Sequence, residues 1–274
     1  MNRPPVSPPL SVVLPLHRTA ATLDELVGRL EAACPPGTEY VLVDDRCPDR
    51  TGDLVLERWA HVPGRLLRLA DNVGQHAAVQ AGLRHAYGER VIVMDADLQD
   101  LPEDAPRLLA TLASGGADVV CAGRRGHYAD PAQERTARAY RRVARLLSGG
   151  RIPVDAGMFS AWRRAAVEKV VALDDHAAPL VPAAALAGLR IATLPVARHS
   201  RPRGRSATGS IRRVRIAVRG LVTLTPLHPL ARRLQPVRRR APVAEVVELG
   251  LGPQKSGAAI ASRSDGVKEP AREP

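Results

Sequence analysis

Aromatic side chains are scarce: the chain has one Phe, two Trp and four Tyr. A buried core must therefore rest on Leu, Val, Ile and Ala. The same scarcity leaves little for stacking bases, and no nucleic-acid recognition motif is present, so no nucleic-acid partner is expected. Cysteine is also rare. Cys34, Cys47 and Cys121 have neither metal-ligand spacing nor an even-numbered framework, which fits a reducing cytoplasm. Long apolar runs are missing. The longest uncharged stretch, residues 177–189, is too short to span a bilayer and contains Pro179 and Pro182. The N-terminal ten residues are Pro-rich and lack the apolar core of a signal peptide. Finally, residues 198–244 contain no Asp or Glu but 13 Arg, more than the formal net charge of +12 for the whole chain. A segment so one-sided in charge seeks polyanions such as anionic lipid, phosphate substrates or nucleic acid.

What is present is an alternation of short apolar runs with helical patterns. Residues 10–16, 39–43, 65–69, 90–94 and 117–122 read as strands. Residues 20–33, 51–60, 74–87 and 102–113 read as helices between them. With 274 residues, the chain can bury one α/β domain and carry an appendage. The alternation predicts a mainly parallel sheet with helices on both faces. Beyond residue 123, the pattern predicts a basic helix over 133–147, an edge strand over 155–162, a helix over 163–173 and a last strand over 191–198. Residues 210–224 place Ile211, Val214, Val218, Leu221 and Val222 on one helical face, with Arg212, Arg213, Arg215 and Arg219 around them. That is the pattern of an amphipathic helix lying in a membrane interface. The expected organisation is a flexible N-terminus (1–9), a catalytic domain (10–206), basic amphipathic helices (207–240) and a disordered tail (241–274).

Acidic residues gather where the predicted strands end, the place where open α/β sheets bind ligands. Asp44 and Asp45 follow the second strand, and Asp95-Ala96-Asp97 follows the fourth. Two carboxylates one residue apart point the same way along an extended chain. Such a pair can grip one divalent cation together with substrate phosphates. An isolated pair of this spacing more often caps a helix or faces water.

This pair is not isolated. The run from Val91 through Asp95-Ala96-Asp97-Leu98-Gln99-Asp100-Leu101-Pro102-Glu103 resembles the signature of GT-A glycosyltransferases of family two, above all the dolichyl- and undecaprenyl-phosphate sugar synthases. Leu42-Val43-Asp44-Asp45-Arg46-Cys47-Pro48-Asp49-Arg50-Thr51 is similar to a second motif of that family. The run from Asp71-Asn72-Val73-Gly74-Gln75-His76 to Gly82 is similar to a third. Asp155-Ala156-Gly157-Met158-Phe159 and Arg201-Pro202-Arg203-Gly204-Arg205-Ser206 match two later elements. The matches run in order over roughly residues 10–230.

The resemblance implies a GT-A, Rossmann-like fold and an inverting, metal-dependent transfer of a sugar from a UDP- or GDP-linked donor to a polyprenyl phosphate. Asp95, Asp97 and Gln99 match the site for Mg²⁺ or Mn²⁺. Pro15, Asp44, Asp45, Asn72 and Gly74, with Asp95 and Asp97, match the donor site. Arg201, Arg203, Arg205 and Ser206 match the basic element near the acceptor phosphate. Asp97 and Asp155 are the catalytic candidates. Asp155 reads equally well as a turn or cap carboxylate. Departures lie near the nucleotide pocket: Leu16-His17-Arg18-Thr19 replaces an Asn-Glu motif, Arg46-Cys47 replaces Gly-Ser, and Ala207 replaces a Lys.

The acceptor decides which catalytic group is needed. A phosphate monoester has a second pKa of about 6 and is already largely an anion at neutral pH. It needs positioning and charge balance, which Arg supplies bidentately, more than a base. The expected location is cytoplasmic, peripheral at the inner face of an anionic membrane. Three other readings stay open from sequence. They are a glycosyltransferase with a soluble acceptor, a basic nucleic-acid-binding protein, and a GT-A scaffold without activity.

Overall fold

A computed structural model describes residues 7–125, 131–174, 178–197, 210–225 and 242–250. Its centre is one eight-stranded sheet. The strands are β1 (Leu10–Leu16), β2 (Glu39–Asp44), β3 (Gly64–Leu69), β4 (Arg90–Val93), β5 (Val119–Arg125), β6 (Ala156–Arg163), β7 (Ile191–Ala197) and β8 (Val243–Leu249). Their spatial order is β7-β5-β6-β4-β1-β2-β3-β8. β6 runs antiparallel to both β4 and β5, and β8 antiparallel to β3; the other six strands are parallel. This is the mainly parallel sheet that the strand–helix alternation predicts.

The two-residue period of β1 explains the layers. Val12, Leu14 and Leu16 point to one face, where α1 (Leu23–Ala33), α2 (Thr51–Arg58) and α4 (Ala105–Ala113) cover them with Leu26, Leu30, Val55 and Leu108. Val13 points to the other face, with Val41 and Val43 of β2. There α3 (Gln75–His85), α6 (Arg164–Ala172) and α7 (Leu180–Leu186) bring Ala78, Val79, Val167 and Ala183. Helix α3 comes close because it carries small residues. A Cβ on Gly82 would lie 2.5 Å from Val13 Cγ1 and 3.0 Å from Val43 Cγ2. A smaller layer lies outside these. α5 (Pro131–Leu147) and α8 (Ser210–Thr223) pack on each other and on α7 through Tyr140, Ala144, Val181, Ala185 and Leu221. A Cβ on Gly220 would lie 2.4 Å from the Tyr140 hydroxyl, so glycine sets the close approach of α8 to α5.

Three expectations change. Residues 155–162 are expected at an edge, but β6 is internal. Its central side chains, Gly157 to Trp162, are all buried between β4 and β5, which an edge strand would not achieve. Residues 180–186 form a helix that the sequence reading did not assign, with Pro182 inside its first turn, where a missing N–H costs nothing. The expected disordered tail does not begin at 241. Residues 243–249 form an edge strand, because its charges fall opposite charges: Arg65 pairs in register with Glu248 and Arg68 with Glu245, at 3.4 and 3.7 Å. Residues 1–6 and 251–274 lie outside the described residues, as does the basic stretch 226–241.

Candidate functional site

The parallel strands end on one edge of the sheet, and the acidic residues follow them there. β4 stops at Val93, and Met94 still donates from its backbone to Val13 O at 3.2 Å. The next residues alternate. Asp95, Asp97 and Gln99 are half-buried, while Ala96 and Leu98 are buried. Ala96 is pinned from behind, where the Thr22 hydroxyl of the α1 N-cap donates to its carbonyl at 2.8 Å. Leu98 takes a left-handed φ of 56°, which turns the chain so that the Gln99 amide donates to Asp97 Oδ1 at 3.1 Å. The two carboxylates and the Gln99 side chain thus lie on the more open side of a tied segment.

The end of β2 splits its two aspartates. Asp44 Oδ1 accepts the Cys47 amide at 2.7 Å, and its other oxygen lies over the start of α2, where a Cβ on Gly52 would come within 2.1 Å of it. Glycine at position 52 is what leaves room for this carboxylate. Asp45 turns inward and is 2 % exposed. Its carboxylate accepts the amides of Val73 at 2.7 Å and Gly74 at 2.9 Å, and its carbonyl accepts the Asn72 side chain at 2.9 Å. The structure therefore places Asp45, a donor-site candidate, under the 72–74 loop, with its carboxylate on two backbone amides. Asn72 is exposed and also meets His17 Nδ1 at 3.2 Å, which joins the loops after β1 and β3. Gly74 has φ 90°, a conformation that suits glycine, and precedes the first residue of α3.

Pro15 fits inside β1 because of where its missing N–H would point. Leu16 O faces β2 and accepts Asp45 N at 3.3 Å, whereas Val13 O faces β4. The strand period turns position 15 toward β4, beyond the last paired residues, Val13 and Val93. Asp155 precedes β6, whose antiparallel run begins at this same edge. A Cβ on Gly123 of β5 would lie 2.5 Å from Asp155 Oδ2. Burial, then Asp44, push the Cys47 thiol far above the usual range, and it donates to Leu16 O at 3.2 Å. Arg201, Arg203, Arg205 and Ser206 follow β7 and lie outside the described residues.

Two neighbours were not singled out as site residues from sequence. The side-chain amide of Gln75, the first residue of α3, donates to Asp95 Oδ1. His17 belongs to the segment that departs from the family's first motif. Gln75 sits in the third motif, yet only the packing of α3 across β1 and β2 brings it to an aspartate twenty residues away, past the end of β4.

Comparison with known proteins shows the family and the fold. The model for Glycosyl transferase family 2 matches residues 11–171. The chain is a family 2 glycosyltransferase. The undecaprenyl-phosphate 4-deoxy-4-formamido-L-arabinose transferase of Pseudomonas fluorescens (strain Pf0-1) is 35% identical over 231 residues, covering 81% of this glycosyltransferase and 67% of the relative. The protein of the same name from Edwardsiella ictaluri (strain 93-146) is 32% identical over 236 residues, covering 81% and 70%. Among solved structures, the mannosyltransferase PcManGT from Pyrobaculum calidifontis, in complex with GDP-Man and Mn²⁺, shares the fold with a TM-score of 0.57 at 23% identity. The match covers 79% of this glycosyltransferase and 64% of that chain, so the glycosyltransferase spans less than two thirds of its length.

Proposed function

We propose that this glycosyltransferase moves a sugar from a nucleotide-diphosphate donor to a polyprenyl phosphate, acting at the surface of an anionic membrane. The observation that carries the reading is the half-exposed Asp95, Asp97 and Gln99 at the carboxyl edge of the sheet, in a chain 35% identical to a protein named as an undecaprenyl-phosphate sugar transferase.

The donor set suits a divalent ion. Among the described residues no group of three or more His, Cys, Asp or Glu could hold a metal alone. Mg²⁺ is ordinarily held by one or two carboxylates plus substrate phosphates, and this pair offers that much. Asp95, Asp97 and Gln99 are the residues to hold Mg²⁺ or Mn²⁺, which when bound balances charge gathering on a diphosphate leaving group. In this reading Asp44 meets the nucleotide base, and Pro15, Asn72 and Gly74 shape the donor cleft. Arg201, Arg203, Arg205 and Ser206 receive the acceptor phosphate. That phosphate is already largely an anion, so its attack needs no general base to deprotonate it. Attack in line with the departing diphosphate inverts the anomeric carbon. Holding both partners in line supplies much of the acceleration.

The membrane contact falls on α5 and α8. Leu146 is 79% exposed, Val214 59% and Val218 55%, and Arg142, Arg145 and Arg215 are exposed beside them. Apolar side chains ringed by Arg suit the headgroup boundary of an anionic bilayer, where each cation contributes about 1 kcal/mol. No described helix is long and apolar enough to cross a membrane.

The test is transfer of labelled sugar from UDP- and GDP-sugars into lipid extracts of vesicles containing undecaprenyl phosphate and anionic lipid. Butanol-extractable, acid-labile product is expected. Transfer only to water-soluble acceptors would overturn the acceptor assignment. With the same vesicles, Leu146→Asp with Val218→Asp should lower co-sedimentation about tenfold at moderate salt. Equal sedimentation of variant and parent would remove α5 and α8 from the membrane face.

A further inference from the structure

We propose that Gln75 is a positioning residue that fixes the orientation of the Asp95 carboxylate, and that buried Asp45 holds Gln75 in place. The proposal rests on the reading of Asp95 as a cation ligand, and it gives a task to two residues which that reading leaves without one.

The chain of contacts is continuous. The Asp45 amide donates to Leu16 O at 3.3 Å, which fixes the turn out of β2 against the end of β1. The Asp45 carboxylate then accepts two successive backbone amides, Val73 at 2.7 Å and Gly74 at 2.9 Å. Gly74 is the N-cap of α3, and its φ of 90° leads directly into Gln75 as the first helical residue. A carboxylate gripping the two successive peptides that lead into the N-cap sets where the helix starts, and so where the Gln75 side chain begins. The Gly74 carbonyl also accepts the Ala78 amide at 3.0 Å, so the held loop is continuous with the first helical turn. Asn72 closes the far side, with its amide on Asp45 O and His17.

From that start the Gln75 amide donates to Asp95 Oδ1. An amide is a suitable partner for a ligating carboxylate. It supplies an N–H to one oxygen and adds no charge that would compete with a cation. Carboxylates that bind metals are commonly held by such hydrogen bonds, and losing one typically weakens metal binding 10–100-fold. The acidic pair after β2 and the pair after β4 are thus parts of one device, with Asp45 supporting and Asp95 receiving.

The test measures binding of Mn²⁺ alone, read as free ion by electron paramagnetic resonance, in the full chain and its variants. Gln75→Leu keeps the bulk and removes the donor. Gln75→Asn withdraws the same amide by one methylene. Gln75 is exposed, so both variants are expected to fold, and a thermal melt checks this. About tenfold weaker Mn²⁺ binding is expected in both, with kcat recovered at saturating Mn²⁺. Mn²⁺ binding equal to the parent, even with a lowered Tm, would reduce Gln75 to a helix-start residue and overturn the proposal. Asp97→Asn serves as the control. If the parent binds Mn²⁺ no better than this variant, the cation reading fails and the proposal fails with it.

Discussion

Asp97→Ala is expected to lower sugar transfer about a thousandfold while leaving the chain folded. The size follows from what a bound ion supplies. Stabilising the charge of a departing diphosphate is worth several kcal/mol, and about 4 kcal/mol is about a thousandfold in rate. The small effect on folding follows from the side chain's surroundings. Asp97 is half-buried, and the Gln99 amide donates to it at 3.1 Å in a turn that Leu98 and the Thr22 bond to Ala96 also fix. Losing that bond costs on the order of 1 kcal/mol. The checks are turnover with excess Mn²⁺, titration of Mn²⁺ binding, and a melting curve. Turnover within a factor of ten of the parent would remove Asp97 from the chemistry. A collapsed melting temperature would assign it to the fold.

The contrast between the two acidic clusters shows what the sequence can and cannot tell. The spacing of Asp95, Ala96 and Asp97 is legible because an extended segment has a two-residue period. Alternation is enough to put both carboxylates on one side and Ala96 on the other. Asp44 and Asp45 are adjacent, so the same period must send them apart, and nothing local says which one turns inward. That choice is made by the loop after β3, whose amides at Val73 and Gly74 reach the Asp45 carboxylate. Gln75 was hidden for the same reason, since its partner Asp95 comes from another strand. The sheet shows the same limit. Strands β1 to β5 announce themselves as apolar runs between helices. The central place of β6 depends on a reversal of direction between β4 and β5, and β8 depends on Glu245 and Glu248 meeting Arg68 and Arg65 from far along the chain.

That end of β3 leads to a second large effect, this time on stability. Glu39→Ala is expected to destabilise the protein by about 3–5 kcal/mol with kcat of the folded fraction unchanged. Glu39 opens β2 at the amino edge of the sheet and is 5% exposed. Its carboxylate accepts the Ser11 hydroxyl and the Tyr87 amide, the latter at 2.8 Å, and lies 3.2 Å from the Arg65 guanidinium. Arg65 is itself buried. It donates to His85 O at 2.9 Å and stacks over the Tyr87 ring with its centre 4.6 Å away. Among the described residues, truncating Glu39 leaves that cation with one carboxylate, Glu248, 3.4 Å away on the edge strand β8. Removing one partner of a buried pair costs this much because the survivor keeps its desolvation without compensation. Glu39→Gln should cost less, since it retains hydrogen-bonding atoms and loses only charge. Urea midpoints at constant m-value measure both. A loss below about 1 kcal/mol for Glu39→Ala would mean that water or Glu248 already balances Arg65. The prediction separates the two edges of one sheet. At the carboxyl edge, half-exposed Asp95 and Asp97 are removable with loss of chemistry and little loss of fold. At the amino edge, the carboxylate is enclosed by Ser11, Tyr87 and Arg65, and removing it acts on the fold alone.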